Sequence, residues 1–208
     1  FKRKVFGGVS EKITDGKSGR MEVLGDKIIL QHTNYIHLDS GPVDHFELYS
    51  IDLNDNNVVT LFKRVETGNG SSRSNPFGFV SKDRSKYVFQ SELEIYLVDF
   101  NLGNEAINLT NHPARDESPF IIEDKIYLYS KREHPANELY RMNYDGSNLE
   151  RLGTGFGNIF LLNNRETIVS VFDEKTIQFL DKNLNVIKTS ILENRDFAKA
   201  NYIFDIFK

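Results

Sequence analysis

Asn137-Glu138-Leu139-Tyr140-Arg141-Met142-Asn143-Tyr144-Asp145-Gly146-Ser147 is the stretch on which the fold turns. Tyr140 and Met142 alternate with Arg141 and Asn143, the period of a half-buried strand. Asp145-Gly146 then supplies residues that tolerate the positive φ of a tight hairpin. An aliphatic residue leading into an aromatic one recurs at Phe46-Glu47-Leu48-Tyr49, at Leu93-Glu94-Ile95-Tyr96 and, more loosely, at Lys175-Thr176-Ile177-Gln178-Phe179. One period upstream of Tyr49 stands Phe1, opening Phe1-Lys2-Arg3-Lys4-Val5-Phe6. The aromatic positions 1, 49, 96, 140 and 179 are separated by 48, 47, 44 and 39 residues, the length of a β-propeller blade.

The segments after each aromatic keep the same order. Turns follow at Phe6-Gly7-Gly8, Asn54-Asp55-Asn56-Asn57, Asn101-Leu102-Gly103-Asn104, Tyr144-Asp145-Gly146-Ser147 and Asp181-Lys182-Asn183. A further strand then ends in Lys12-Ile13-Thr14, Val59-Thr60-Leu61, Asn108-Leu109-Thr110, Arg151-Leu152 or Ser190-Ile191-Leu192. Between these hairpins lies another strand pair, as in residues 86–91 (Lys-Tyr-Val-Phe-Gln-Ser) and 124–130 (Asp-Lys-Ile-Tyr-Leu-Tyr-Ser). Four strands per repeat is the propeller unit. No long stretch keeps a period of 3.6 with good helix formers, so a helical reading fails.

The chain has 208 residues, long enough for one domain over 1–208 with a sizeable core. Its formal net charge of -4 argues against nucleic acid as a partner, because phosphate binding needs a basic surface. Cysteine is absent, which excludes thiol catalysis, disulfides and Cys-based zinc sites. Sixteen Phe and nine Tyr lean toward strands. No apolar run approaches the about eighteen residues of a transmembrane helix. The sequence opens on Phe1 and lacks a signal-peptide layout, which leaves two readings: a removed N-terminal segment, or a piece of a longer chain.

From about Phe77 to Leu152 the residues resemble the TolB-type propeller repeat. The match is carried by Asn108-Leu109-Thr110-Asn111-His112-Pro113, Asp116-Glu117-Ser118-Pro119, Ile126-Tyr127, Glu138-Leu139-Tyr140-Arg141-Met142-Asn143, Asp145-Gly146-Ser147 and Arg151-Leu152. It departs at Ser81-Lys82-Asp83-Arg84, where the family has Ser-Pro-Asp-Gly, and at Glu123-Asp124. The resemblance implies an all-β propeller of four-stranded antiparallel blades and favours a periplasmic or otherwise extracytoplasmic location. Five outer hairpins and four complete inner hairpins predict five blades. Ala200–Phe207 would pair into the blade of residues 1–14, a closure that removes exposed sheet edges. The alternative is a fragment of a ring of six to eight blades.

In a four-stranded blade the connections between second and third strands share one end with the connections between blades. That end is expected to carry loops at His32–His45, Lys63–Asn75, Asn111–Ser118, Lys131–Asn137 and Gly153–Asn158. The first two are long, and long loops on a rigid scaffold are where binding usually sits. All five histidines fall there: His32, His37, His45, His112 and His134. They are candidates for a His-bound divalent metal, weighed against solvated loop positions, since no His-x-x-x-His pair occurs. Asp116 at a blade opening is a candidate for channel-mouth Ca²⁺ or, alternatively, for capping the inter-blade turn. Asp26, Asp83 and Asp124 are the carboxylates a glycosidase would need, yet they fall in turns at the other end. Gly68-Asn69-Gly70-Ser71-Ser72 lacks the Lys of a phosphate-binding loop.

The function expected from these features is a non-catalytic, monomeric binding module without a required cofactor. It would recognise a protein or peptide through Tyr35, Ile36, His37, His45, His112, Asp116 and His134. The alternative is a carbohydrate-active propeller enzyme, a metal-dependent lyase or a glycosidase.

Overall fold

The computed structural model describes residues 18–38, 41–54, 58–67, 78–103, 105–162, 167–171 and 175–191, with the backbone alone given at 18–22, 32–38, 41–46, 63–67 and 162. The described residues form sixteen strands and no helix. They fall into four sheets, each a meander whose four strands neighbour one another in chain order. The first sheet holds β1 (Ser18–Leu24), β2 (Lys27–Leu38), β3 (Gly41–Asp52) and β4 (Val58–Thr67). The second holds β5 (Phe79–Val80), β6 (Lys86–Ser91), β7 (Glu94–Asp99) and β8 (Ala106–Asn108). The third holds β9 (Asp116–Ile122), β10 (Lys125–Ser130), β11 (Glu138–Met142) and β12 (Glu150–Gly153). The fourth holds β13 (Asn158–Leu162), β14 (Thr167–Val171), β15 (Thr176–Leu180) and β16 (Val186–Ile191).

The repeat register holds in the ladders. Tyr49, Tyr96, Tyr140 and Phe179 all stand on third strands, opposite Leu30, Phe89, Leu128 and Val169 of the second strands. The ladder to the fourth strand slips at matching places, between Leu48 and Tyr49 and between Leu139 and Tyr140, and one position later at Phe179. Such bulges increase local twist and bend the outer strand. Aspartates close the turns after the third strands. Backbone N–H groups of Asn54, Asn101, Ser147 and Asn183 donate to Asp52, Asp99, Asp145 and Asp181 at 2.8, 3.0, 2.9 and 2.8 Å. Each is an Asp side chain standing in for a backbone acceptor two residues away.

The chain divides into two compact units at Pro119 and Phe120, inside β9. In the first unit, Leu24, Ile29, Leu48 and Leu61 of the first sheet cluster with Val80, Tyr87, Phe89, Tyr96 and Val98 of the second. Phe62 lies edge-on to Phe89 at 5.3 Å and tilted against Tyr96 at 4.9 Å between centroids. Each such side chain, fully buried, contributes about 1.5–3 kcal/mol. Gly78 is required by this packing, because a Cβ there would lie 2.2 Å from Cζ of Tyr87. In the second unit Phe120 stacks on Tyr127 at 5.3 Å, and Leu128, Leu139 and Val169 are wholly buried.

Two expectations change. A half-buried strand would bury only one of Tyr127 and Leu128, yet both are buried, as is nearly all of β6. These second strands are covered on both faces and so read as continuous apolar runs. The stretches 32–45 and 63–75 are not simply loops. Residues 32–38, 41–45 and 63–67 are strand, paired from Leu38↔Gly41 down to Thr33↔Phe46 and from Val43↔Thr67 down to Glu47↔Lys63. The proposed five-blade closure involves residues 1–14 and 200–207, which lie outside the described residues.

Candidate binding face

Because every sheet is an antiparallel meander, its second-to-third connection and the exit of its fourth strand lie at one end. At that end the third strand begins with the same residue in three sheets: Glu47, Glu94 and Glu138. Their second-strand partners are His32, Ser91 and Ser130. Each glutamate is engaged differently. Glu94 accepts Thr110 Oγ1 at 2.6 Å and the His112 backbone N–H at 3.1 Å, which ties the segment leaving β8 back to the sheet. Thr110 Oγ1 in turn accepts the Ile95 N–H at 3.0 Å. Glu47 accepts the Tyr49 hydroxyl. Burial, reinforced by that carboxylate, pushes the Tyr49 phenol up to about 12.

Glu138 is wholly buried and is held by Arg151, whose Nε donates at 2.8 Å and Nη2 at 2.5 Å. The guanidinium holds the Glu138 carboxyl below the usual carboxylate range. Arg151 remains 47% exposed and also faces Glu133 at 3.7 Å. The pair was not legible in the sequence, since thirteen residues separate its members. The available signal was the repeated Glu two positions before each tyrosine.

His112 and His134 share a local design. Each begins a His-Pro-Ala run and accepts, through Nδ1, the N–H of its own Ala114 or Ala136, at 3.0 and 3.1 Å. Both imidazoles therefore shape their turns. Asp116 is fully buried, and its backbone N–H donates to Leu93 O at 2.8 Å. Ser118 N–H donates to Gln90 Oε1 at 3.0 Å. These two bonds stitch the start of β9 to the β6–β7 turn. Among the described residues no group of three His, Asp or Glu side chains is arranged to hold a metal ion.

Tyr35, Ile36, His37 and His45 fall on the ribbon, at the pairs Tyr35↔Asp44, Ile36↔Val43, His37↔Pro42 and Asn34↔His45. Successive pairs alternate faces, so Tyr35 and His37 share one face while Ile36 and His45 share the other. The ribbon marks this end of the first sheet. In the second sheet the chain reverses through Glu92-Leu93, both at positive φ, directly after Ser91↔Glu94. In the first sheet six further pairs follow His32↔Glu47 before the strands end, an extension of about 20 Å. Asp26, Asp83 and Asp124 lie at the first-to-second strand turns, and Asp83 is committed there, accepting Ser81 Oγ, Ser85 N–H and Ser85 Oγ at 2.5, 3.1 and 2.7 Å.

No family model matches the chain, and no curated protein matches it. Solved structures do. A protein assigned as TolB from Agrobacterium tumefaciens aligns at 18% identity with a TM-score of 0.50, covering 79% of this chain and 61% of that one. The β-propeller domain of Cps50 (Swd1) from Myceliophteria thermophila aligns at 9% identity and 0.55, covering 90% of this chain and 59% of that one. The fold is a TolB-like β-propeller. Each four-stranded sheet is a blade. A prolyl endopeptidase also aligns, at 8% identity and a TM-score of 0.53, covering 86% of this chain and 36% of that one. The chain spans about three fifths of the length of the first two structures. No helix among the described residues is long and apolar enough to cross a membrane.

Proposed function

We propose that this propeller is a non-catalytic binding module that takes a protein or peptide segment at the end carrying the first-blade ribbon. The observation that supports this reading is the ribbon itself. In the first blade the second and third strands run on as a paired ribbon past the level at which the second blade reverses its chain, and we infer that an incoming segment adds to that extension. Strand addition derives affinity from main-chain hydrogen bonds and specificity from alternate side chains. Tyr35 and His37 on one face, with Ile36 and His45 on the other, are the residues such a segment would read. In the second blade, Glu94 at the corresponding position is occupied by Thr110 and the His112 N–H. Against the carbohydrate-active alternative, Asp26, Asp83 and Asp124 lie at first-to-second strand turns, and Asp83 is held there by Ser81 and Ser85.

The test is to replace residues 33–46 with Asn-Gly, which gives the first blade a short reversal like that of the second. Peptides selected from a displayed library against the intact chain should lose binding to the trimmed one, while far-UV circular dichroism and thermal midpoint stay close to the parent. Equal binding to both forms would move the site away from the ribbon.

A further inference from the structure

We propose that the His-Pro-Ala turns at His112 and His134 are a pair of pH-sensitive latches on the second and third blades, closed by neutral imidazoles and opened by protonation. The two runs share three residues: His112-Pro113-Ala114 leads from β8 toward β9, and His134-Pro135-Ala136 joins β10 to β11. Proline carries no N–H, so the first amide beyond either histidine is that of the alanine. Both rings meet it. Nδ1 of His112 accepts the Ala114 N–H at 3.0 Å, and Nδ1 of His134 accepts the Ala136 N–H at 3.1 Å. An accepting Nδ1 carries no proton, which places the ring hydrogen on Nε2. Protonation turns Nδ1 into a donor facing another donor, and the bond that closes each turn is lost.

Each ring also has a carboxylate that suits its charged form, and both carboxylates come from the head of a third strand. Glu94 of β7 accepts the backbone N–H of His112 at 3.1 Å. Glu138 of β11 is held below the usual carboxylate range by Arg151 and, to a lesser degree, by His134, so it keeps its charge while the imidazole gains one. The other charged groups divide by turn. Beside His112 stand Arg115 and Glu117, which pair with each other at 2.6 Å. Beside His134 stand Lys131, Arg132 and Glu133 in the chain, and Arg151 of β12 lies 3.7 Å from Glu133. Arg151 disfavours a charged His134, whereas Glu133 and Glu138 favour it. A neutral ring thus has an amide to accept from, and a charged ring has a carboxylate to face, as a two-state element requires. The latches belong to the second and third blades and work whether or not the first-blade ribbon holds a partner.

Two-dimensional amide NMR of the full chain follows Ala114 and Ala136 from about pH 8 to about pH 5, the range in which histidine changes charge. Long-range nitrogen correlations on the imidazoles give their tautomers. At the upper pH both rings should show the Nε2–H form. On acidification each alanine amide should move upfield in step with its own histidine. His112→Asn and His134→Asn keep a side-chain oxygen that accepts the N–H two residues on. In each variant the alanine amide of that turn should stay in place while the other still moves, which a titration elsewhere in the chain would not produce. Glu138→Gln should shift the Ala136 transition to lower pH and leave that of Ala114 unchanged. Circular dichroism checks its fold, and Glu133→Gln, at a side chain 63% exposed, supplies the same comparison where it is not folded. Alanine amides that stay in place in the parent, an Nδ1–H tautomer at the upper pH, or movement at only one turn would each overturn the proposal. So would equal movement in the Asn variants, or an Ala136 transition indifferent to loss of the carboxylate.

Discussion

Gln31 and Gln90 occupy one repeat position and should respond to the same substitution with opposite signs. Gln31 pairs with Leu48, and Gln90 pairs with Ile95, each one residue before the aromatic position of its blade. Both are buried, at 2% and 3% exposure. Gln90 accepts the Ser118 N–H at 3.0 Å, whereas neither Nε2 nor Oε1 of Gln31 has a hydrogen-bond partner. A buried polar group without a partner costs about 1–3 kcal/mol, and an apolar residue of similar size removes that cost. Gln31→Leu should therefore raise the unfolding free energy by about 1–3 kcal/mol. Gln90→Leu should lower it by about 0.5–1.5 kcal/mol, because it removes the bond from the Ser118 N–H. For a chain of this length each kcal/mol moves the melting temperature by roughly 2–4 °C, well within calorimetric reach. Urea denaturation of both variants checks the sign through the midpoint. Destabilisation by both, or stabilisation by both, would refute the assignment of partners at this position.

Other consequences are as direct. Gly78→Ala should destabilise by about 1–3 kcal/mol through overpacking against Tyr87, and in a Tyr87→Leu background it should cost much less, measured as a double-mutant cycle. Tyr127→Asp and Leu128→Asp should each cost several kcal/mol, since both side chains are buried; Val186→Asp, at a 52% exposed position, should be tolerated in the same assay. The Glu138 carboxyl is held below its unfolded-state range, so its contribution is present above about pH 4.3 and is lost as pH falls through the lowered folded value. The denaturation midpoint difference between the parent and Glu138→Gln should therefore be largest near pH 7 and shrink toward pH 3.

Much of the blade was legible because the chemistry is local. The repeat around Tyr96 and Tyr140 needs only an aliphatic residue leading into an aromatic one on a third strand, and Asp99, Asp145 and Asp181 close their turns with side chains two residues from the groups they bind. The ribbon was harder to read. His32-Thr33-Asn34-Tyr35 carries no apolar period, and without one it reads as loop. The double burial of Tyr127 and Leu128 likewise depends on what covers each face of the sheet. The Glu138–Arg151 pair depends on which residues the β11–β12 ladder brings together. His112 and His134 were singled out as donors by residue type. What they do is fixed by the Pro-Ala that follows, a backbone effect visible only once the turn is built.

The working role of the ribbon is tested most directly by hydrogen–deuterium exchange of the full chain with and without a peptide selected for binding to it. The strand-addition account predicts that amides of residues 33–38 slow markedly on binding, with smaller changes at 41–46 and none at the Asp99–Gly103 turn at the other end of the second blade. Protection confined to that opposite end, or to residues 109–117 with the ribbon unchanged, would contradict it.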